Sequence, residues 1–308
     1  MERARYIFPL LFLLLTACED QVAAPSRMEE PFSIFGIINP RLETQSVLIS
    51  PVEPLLFDYP DTIDASVRMT ALESGETILW RDSVIVGERG EREHAFVADF
   101  RPDFGASYQI EVERSDGALT SAVAHIPELV QVASDDLGSQ TVHVSITGSS
   151  FHLLSIDVLY SVRYYSVGME IADLCQSPPR TYVVSHTGRE SETHDGYRVA
   201  INLALDHDEV MRQDAGNIVI RWRPGLTGFA LMQLQVRLLV AEKAWDPPGS
   251  TFDATALAQP DVMSNVSNGY GFVGGGYNHD AAFLPSRGAI DATWFFDFLP
   301  RSEGENVC

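Results

Sequence analysis

Short segments in which apolar and polar residues alternate, separated by turn signals, predict an all-β protein. Alternation with a period of two places one face of a strand in a core and the other towards solvent. Residues 65–72 alternate in this way before the turn Glu73-Ser74-Gly75-Glu76, and residues 140–146 and 230–240 do the same. Six or seven such segments in about 95 residues are typical of an Ig-like β-sandwich. The sequence therefore predicts an Ig-like β-sandwich followed by a larger β-rich, sandwich-like domain.

The Ig-like domain is predicted over residues 32–127. The turn signals Asn39-Pro40 and Ser115-Asp116-Gly117 separate strand-like segments within it. Its strands are expected at residues 32–38, 46–49, 65–72, 77–81, 107–114 and 118–126.

The second domain is predicted over residues 128–308. A helix is indicated at residues 206–213, and weaker helical signals lie at 241–245 and 253–259. Its strands are expected at residues 140–146, 154–167, 181–185, 197–205, 217–222 and 230–240.

Five glycines alternate with aromatic residues between Met263 and Tyr277, late in the second domain. Asn268-Gly269 is typical of a tight turn. The later glycines predict that this backbone lies close against another surface.

The first 18 residues have the layout of an export signal. Met1–Arg5 carries two arginines, Tyr6–Leu15 is almost entirely apolar, and Leu15-Thr16-Ala17-Cys18 follows. This ending resembles the lipobox of bacterial lipoproteins, which implies that residues 1–17 are removed and that Cys18 is diacylated. An ordinary secretory signal is the alternative. Because two acyl chains give stable attachment, we expect a lipid (palmitate-type) anchor followed by a tether over residues 18–31.

The two residues after Cys18 do not decide which face of the membrane the protein occupies. Glu19 and Asp20 resemble the surface-export signal of lipoproteins in Bacteroidetes-like bacteria. An ordinary polar tether explains the same residues equally well.

The charge limits the class of partner. The 308-residue chain has a formal net charge of −22. Such a surface repels phosphate backbones, so we expect no nucleic-acid partner. Solubility is the simplest reason for the acidity.

Two cysteines remain once Cys18 carries lipid. Cys175 and Cys308 form an even pair in a compartment where thiols oxidise. A disulfide between them is predicted, and two independent thiols are the alternative.

Two acidic stretches contain candidate metal ligands. Asp206-His207-Asp208-Glu209 is the densest, but neighbouring residues on a helix fan out, so a solvated helix start with Asp206 as N-cap is favoured. Asp58, Asp61 and Asp64 lack the glycine and the closing glutamate of an EF-hand loop. We therefore predict no metal site.

A candidate ligand groove is formed by aromatic residues near the late glycines, namely Tyr270, Phe272 and Tyr277. Trp222, Trp245 and Trp294 are further candidates for its walls. Core packing is the usual role of such residues and remains the alternative.

The chain carries no established catalytic signature. It contains no His-Glu-x-x-His, Cys-x-x-Cys or Gly-x-Ser-x-Gly motif. Residues 271–276 are glycine-rich but lack the Lys-Ser/Thr ending of a phosphate-binding loop. We expect neither catalysis nor a cofactor.

Several segments together resemble the DUF4249 family of Bacteroidetes-type lipoproteins. They are the lipobox, the strand Phe-Ser-Ile-Phe-Gly-Ile-Ile-Asn at 32–39, the hairpin segment at 65–75, the segment at 105–117 and the glycine segment at 264–275. The resemblance spans nearly the whole mature chain. It implies an outer-membrane lipoprotein of uncharacterised activity, associated with TonB-dependent uptake receptors, and it transfers no catalytic residue.

The predicted function is a lipid-anchored, non-catalytic accessory or ligand-binding protein of the outer membrane. A structural or adhesive surface lipoprotein is the first alternative. An enzyme whose site carries no recognisable motif is the second.

Overall fold

The computed structural model describes residues 31–52, 62–86, 92–136, 138–214, 227–245, 264–299 and 308. Strands dominate these residues, which confirms the predicted all-β class. In chain order the strands are β1 (Phe32–Ile38), β2 (Thr44–Pro51), β3 (Ser66–Ala71), β4 (Thr77–Leu79), β5 (Arg81–Val86), β6 (Arg92–Asp99), β7 (Ser107–Glu113), β8 (Leu119–His125), β9 (Gln131–Asp135), β10 (Thr141–Thr147), β11 (Phe151–Ser166), β12 (Arg180–Ser185), β13 (Ser191–Thr193), β14 (Gly196–Asn202), β15 (Thr227–Glu242), β16 (Val266–Ser267), β17 (Gly269–Ala282) and β18 (Phe296–Asp297). The described helices are α1 (Ile171–Gln176), α2 (Leu203–Asp214) and α3 (Arg287–Asp291).

The described strands form three sheets. The largest has the order β12-β11-β15-β17-β1-β2-β6-β5, with β18 beside β15. A second sheet has the order β16-β8-β7-β3-β4, and a third the order β13-β14-β10-β9. The two smaller sheets pack on opposite ends of the largest one, so two sandwiches share a long common sheet.

β17 joins the two sandwiches. Its first half pairs in parallel with β1, from Gly269 opposite Phe32 to Gly275 opposite Ile38. Its second half pairs antiparallel with β15, from Gly276 opposite Ala241 to Ala282 opposite Gln235. The predicted domain boundary at residues 127 and 128 stays a prediction, and the hydrogen bonding of the common sheet extends across both halves of the chain.

Each sandwich has its own hydrophobic cluster. The first contains side chains from β1 to β8, ends at Ile126 and adds Val273 of β17. The second begins at Val130 and is filled largely from β10, β11, β14 and β15. A small third cluster of Ala241, Trp245 and Phe272 lies on the outer face of the common sheet, where Phe35 and Leu154 pack against it.

The glycines of β17 confirm the predicted close approach. A Cβ on Gly275 would lie 2.3 Å from the carbonyl oxygen of His125. Gly271 has a φ of +103°, and a Cβ there would lie 2.0 Å from the carbonyl oxygen of Ile34. Because backbone blocks both positions, no larger residue fits without movement.

The predicted helix at 206–213 is present as α2, which begins earlier, at Leu203, and so shortens the predicted strand 197–205 to β14. The side chain of Asn202 accepts hydrogen bonds from the backbone N–H groups of Ala204 and Leu205. Asn202 is therefore the capping residue, and the prediction that Asp206 caps a solvated helix start is wrong.

The weak helical signal at 241–245 is also wrong. β15 continues to Glu242, and a turn follows. The predicted strand 217–222 and the predicted helix 253–259 lie outside the described residues. Within the described ranges, no helix is long and apolar enough to cross a bilayer.

Candidate functional site

An apolar groove of about 400 Å³ lies on the outer face of the common sheet, where β1, β15 and β17 meet. Its aliphatic walls come from Ile37, Leu42, Leu154 and Leu239. Trp245 lines it as well. Ile37 and Leu42 are 40% and 53% exposed, so the groove opens onto an apolar surface.

Two consecutive glycines of β17, Gly275 and Gly276, form part of the groove lining. A Cβ on Gly276 would lie 3.2 Å from the carbonyl oxygen of Val240 and 3.4 Å from the side chain of Ile37. The absence of a side chain there leaves room between β1 and β15. The amides of Asn39 and Asn278 supply the polar part of the lining.

Trp245 packs against two other aromatic rings. Its ring meets the ring of Phe272 edge-on, with centroids 4.8 Å apart and an interplanar angle of 87°. Phe35 lies on another side at 6.4 Å. Such edge-to-face pairs are favourable beyond the area they bury. The indole is itself only 1% exposed and forms part of the buried base of the groove.

The three aromatic residues proposed from sequence take different places. Tyr277 lines the groove, but its ring belongs to the second hydrophobic cluster. Its hydroxyl donates to the carbonyl of Glu128 (2.7 Å) and accepts from the N–H of Val130 (3.0 Å), and burial raises the pKa of Tyr277. Phe272 is 1% exposed and supports Trp245. Tyr270 lies opposite Ser33, away from the groove.

The three candidate tryptophans also lie in different places. Trp245 lines the groove, whereas Trp294 is 51% exposed, precedes β18 and is not among the residues that line it. Trp222 lies outside the described residues.

Sequence reasoning missed the aliphatic residues of the groove. A signal was present in β15, where Leu238, Leu239, Val240 and Ala241 are consecutive. An uninterrupted apolar run indicates a strand that is covered on both faces. Leu239 and Ala241 accordingly face the groove side, while Leu238 and Val240 enter the second cluster.

The metal-ligand candidates on α2 do not converge. Asp206 is buried, and its Oδ2 accepts hydrogen bonds from the hydroxyl of Tyr160 (2.5 Å) and from Nε2 of His186 (2.9 Å). His207 is also buried, with its ring against Phe295. Asp208 is largely exposed. Among the described residues no group of three His, Cys, Asp or Glu side chains could hold a metal ion.

The remaining candidate residues are the aspartates of the second acidic stretch and the cysteines. Asp64 accepts hydrogen bonds from the backbone N–H and the hydroxyl of Ser115, which fixes a turn. Asp58 and Asp61 lie outside the described residues, as does Cys18. Cys175 and Cys308 form a disulfide with a Cα–Cα distance of 5.2 Å.

The lining of the groove is mostly apolar. None of the described side chains that line it is a carboxylate, an imidazole or an amine, and the phenol of Tyr277 is already hydrogen-bonded elsewhere. Its volume lies within the range of small-molecule pockets, which are mostly apolar with few polar groups.

Comparisons with known proteins give little. No protein-family model matches the chain, and no curated protein matches it. Among solved structures, the crystal structure of bovine butyrophilin matches with 11% sequence identity and a TM-score of 0.20, over 68% of this chain and 92% of that one. A TM-score this low supports no argument about this protein.

Proposed function

We propose that this protein is a lipid-anchored, non-catalytic binding protein of the cell envelope, and that its groove holds a small apolar ligand. The groove beside Trp245 is the observation that carries this proposal. Its apolar walls, its glycine lining and its two amides suit a ligand with an apolar body and one polar end.

The anchor is proposed at Cys18. The 14 residues from Cys18 to Pro31 would reach at most about 50 Å when fully extended. A folded domain on such a tether stays close to the membrane surface and can still reorient. We place the anchor in the outer membrane, on the strength of the lipobox and the resemblance to DUF4249 lipoproteins.

A TonB-dependent uptake receptor is the proposed partner. This part of the proposal rests on the family resemblance. In this arrangement the groove would present a ligand at the membrane surface and the receptor would import it. The net charge of −22 is unsuited to a nucleic-acid partner.

The ligand can be identified by purifying the full chain from the membranes of its own cells and extracting bound small molecules for mass spectrometry. We expect one apolar compound in near-stoichiometric amount. Leu239→Glu places a charge in the groove and should reduce the retained compound at least tenfold, because burying an unpaired carboxylate is costly. Leu79→Glu, at a leucine 73% exposed and outside the groove, is the matched control and should retain it.

The same purification tests the rest of the proposal. Cys18→Ser should move the protein out of the membrane fraction, and a receptor should co-purify with the wild-type chain. Equal retention of the compound by Leu239→Glu and the wild type would contradict binding in the groove. Absence of both compound and receptor would favour a structural surface lipoprotein.

A further inference from the structure

A second cavity, of about 470 Å³, lies between the two sandwiches and away from the groove. Four segments of the chain line it. They are the start of β7 near Ser107, the connection His125–Glu128, the turn Ser149–Ser150 and the end of β15 at Glu242–Ala244. Pockets between packed units are frequent ligand sites. We call this cavity the junction cleft.

Glu242 is the buried charged residue of the junction cleft. It is 2% exposed. Its Oε2 accepts hydrogen bonds from the backbone N–H of His125 (2.6 Å) and of Gly275 (3.3 Å). Glu242 therefore connects the end of β8, in the first sandwich, to β17, which both sandwiches share.

The other oxygen of Glu242 is unsatisfied. Oε1 is buried and has no hydrogen-bond partner among the described residues. Buried carboxylate oxygens are normally hydrogen-bonded, since an unpaired one keeps the whole cost of its desolvation. A structural link through Oε2 alone does not explain why a carboxylate, rather than an amide, occupies this position.

An ionised carboxylate oxygen only accepts hydrogen bonds, so Oε1 of Glu242 lacks a donor, and the charge of Glu242 favours a donor that is positive. The other titratable side chains lining the cleft are His125, Glu128 and Lys243, and hydroxyls come from Ser107, Ser149 and Ser150. Nδ1 of His125 lies 3.0 Å from the hydroxyl of Ser107. The protein as a whole is strongly acidic, which raises the local concentration of small cations.

We propose that the junction cleft binds a small organic cation, whose ammonium group donates a hydrogen bond to Oε1 of Glu242. The ammonium would satisfy the unpaired oxygen and neutralise the buried charge at once. This site lies across the common sheet from the apolar groove and is independent of the function proposed for it.

The titration of Glu242 agrees with this site. Burial raises the pKa of the Glu242 carboxyl, and the N–H groups of His125 and Gly275 offset part of that rise. A proton therefore competes with an ammonium group for Oε1. Cation binding should strengthen as the pH rises through the raised pKa of Glu242. The charges of His125, Glu128 and Lys243, which also line the cleft, contribute to the affinity for the cation.

The test measures binding of 1,4-diaminobutane to the full chain in a non-ionic detergent, by titration calorimetry, with 1,4-butanediol as the neutral counterpart. We expect the diamine to bind and the diol to bind at least tenfold more weakly. Glu242→Gln keeps an oxygen for the N–H groups of His125 and Gly275 but places an NH₂ donor where Oε1 was. It should weaken diamine binding at least tenfold. Glu43→Gln, at an exposed glutamate outside the cleft, should leave it unchanged.

A second variant keeps the test valid if Glu242→Gln fails to fold. Ser149→Phe fills the mouth of the cleft, leaves Glu242 in place and should also abolish diamine binding. Equal affinity for diamine and diol would overturn the proposal. So would unchanged diamine binding in both variants, which would leave Glu242 as a structural link whose Oε1 is hydrated.

Discussion

His207 shows how a buried residue on α2 couples stability to pH. Its side chain is 1% exposed, and neither ring nitrogen has a hydrogen-bond partner among the described residues. The carboxylate of Asp208 lies 3.6 Å from Nδ1, which is too long for a hydrogen bond. Burial lowers the pKa of His207, and it outweighs the opposite effect of Asp208.

We predict that His207 makes the protein less stable as the pH falls below 6.5, the usual pKa of histidine. In that range the unfolded chain binds the proton and the folded chain does not, so the free energy of unfolding falls with the pH. The slope from one such group is at most about 1.4 kcal/mol per pH unit. Urea unfolding between pH 7 and pH 5 should show a smaller slope for His207→Leu than for the wild type.

His194, an exposed histidine, provides the control for this experiment. His194→Gln should retain the wild-type slope. An unchanged slope in His207→Leu would show that the pH dependence comes from other groups.

At this scale the sequence identified residue types but not their surroundings. Asp206 and His207 stood out as neighbouring polar residues on a helix, and the helix is present. The partners of Asp206 are Tyr160, from β11, and His186, beyond the end of β12. Contacts between residues 46 and 20 positions apart depend on the packing of the sheet and leave no local pattern.

β17 is the element on which both sandwiches depend. Its glycines let the strand pass against the end of β8, at a distance that excludes a side chain. Glu242 then fixes the same point by accepting from the N–H of Gly275. Strand pairing, close backbone approach and a buried hydrogen bond therefore coincide at one residue.

We predict that Gly275→Ala destabilises the protein strongly. The new Cβ would lie 2.3 Å from the carbonyl oxygen of His125, and the strand would have to move. Overpacking of this kind costs about 1–3 kcal/mol, occasionally more. The free energy of unfolding, measured in urea, provides the test.

Gly288→Ala is the matched control for Gly275→Ala. Gly288 lies in α3, and the nearest atom to its added Cβ is 3.6 Å away. Alanine also favours helix more than glycine does, so this variant should be as stable as the wild type or more so. Equal stability of Gly275→Ala and Gly288→Ala would mean that β17 has room to adjust.

At the scale of elements, the period-two pattern found most strands but not their partners. β10 and β15 follow their predicted segments closely. The parallel pairing of β1 with β17 joins residues more than 230 positions apart, such as Phe32 and Gly269. Alternation shows which face of a strand is buried, and it carries no information about the neighbouring strand.

At the scale of the whole molecule, the disulfide between Cys175 and Cys308 links two residues that are 133 positions apart in the sequence. Cys175 lies in α1, and the guanidinium of Arg163 on β11 donates to the carbonyl of Cys175 (2.7 Å). The final residue of the chain is therefore tied to the common sheet through α1.

We predict that Cys175→Ser combined with Cys308→Ser lowers the free energy of unfolding by up to about 4 to 5 kcal/mol, because the unfolded chain regains the entropy of a loop of this length. Urea unfolding of the oxidised wild type and the double variant measures the difference. Adding a reductant to the wild type should reproduce most of it and should leave the double variant unchanged. If the reductant destabilised the double variant as much as the wild type, its effect would not come from this disulfide.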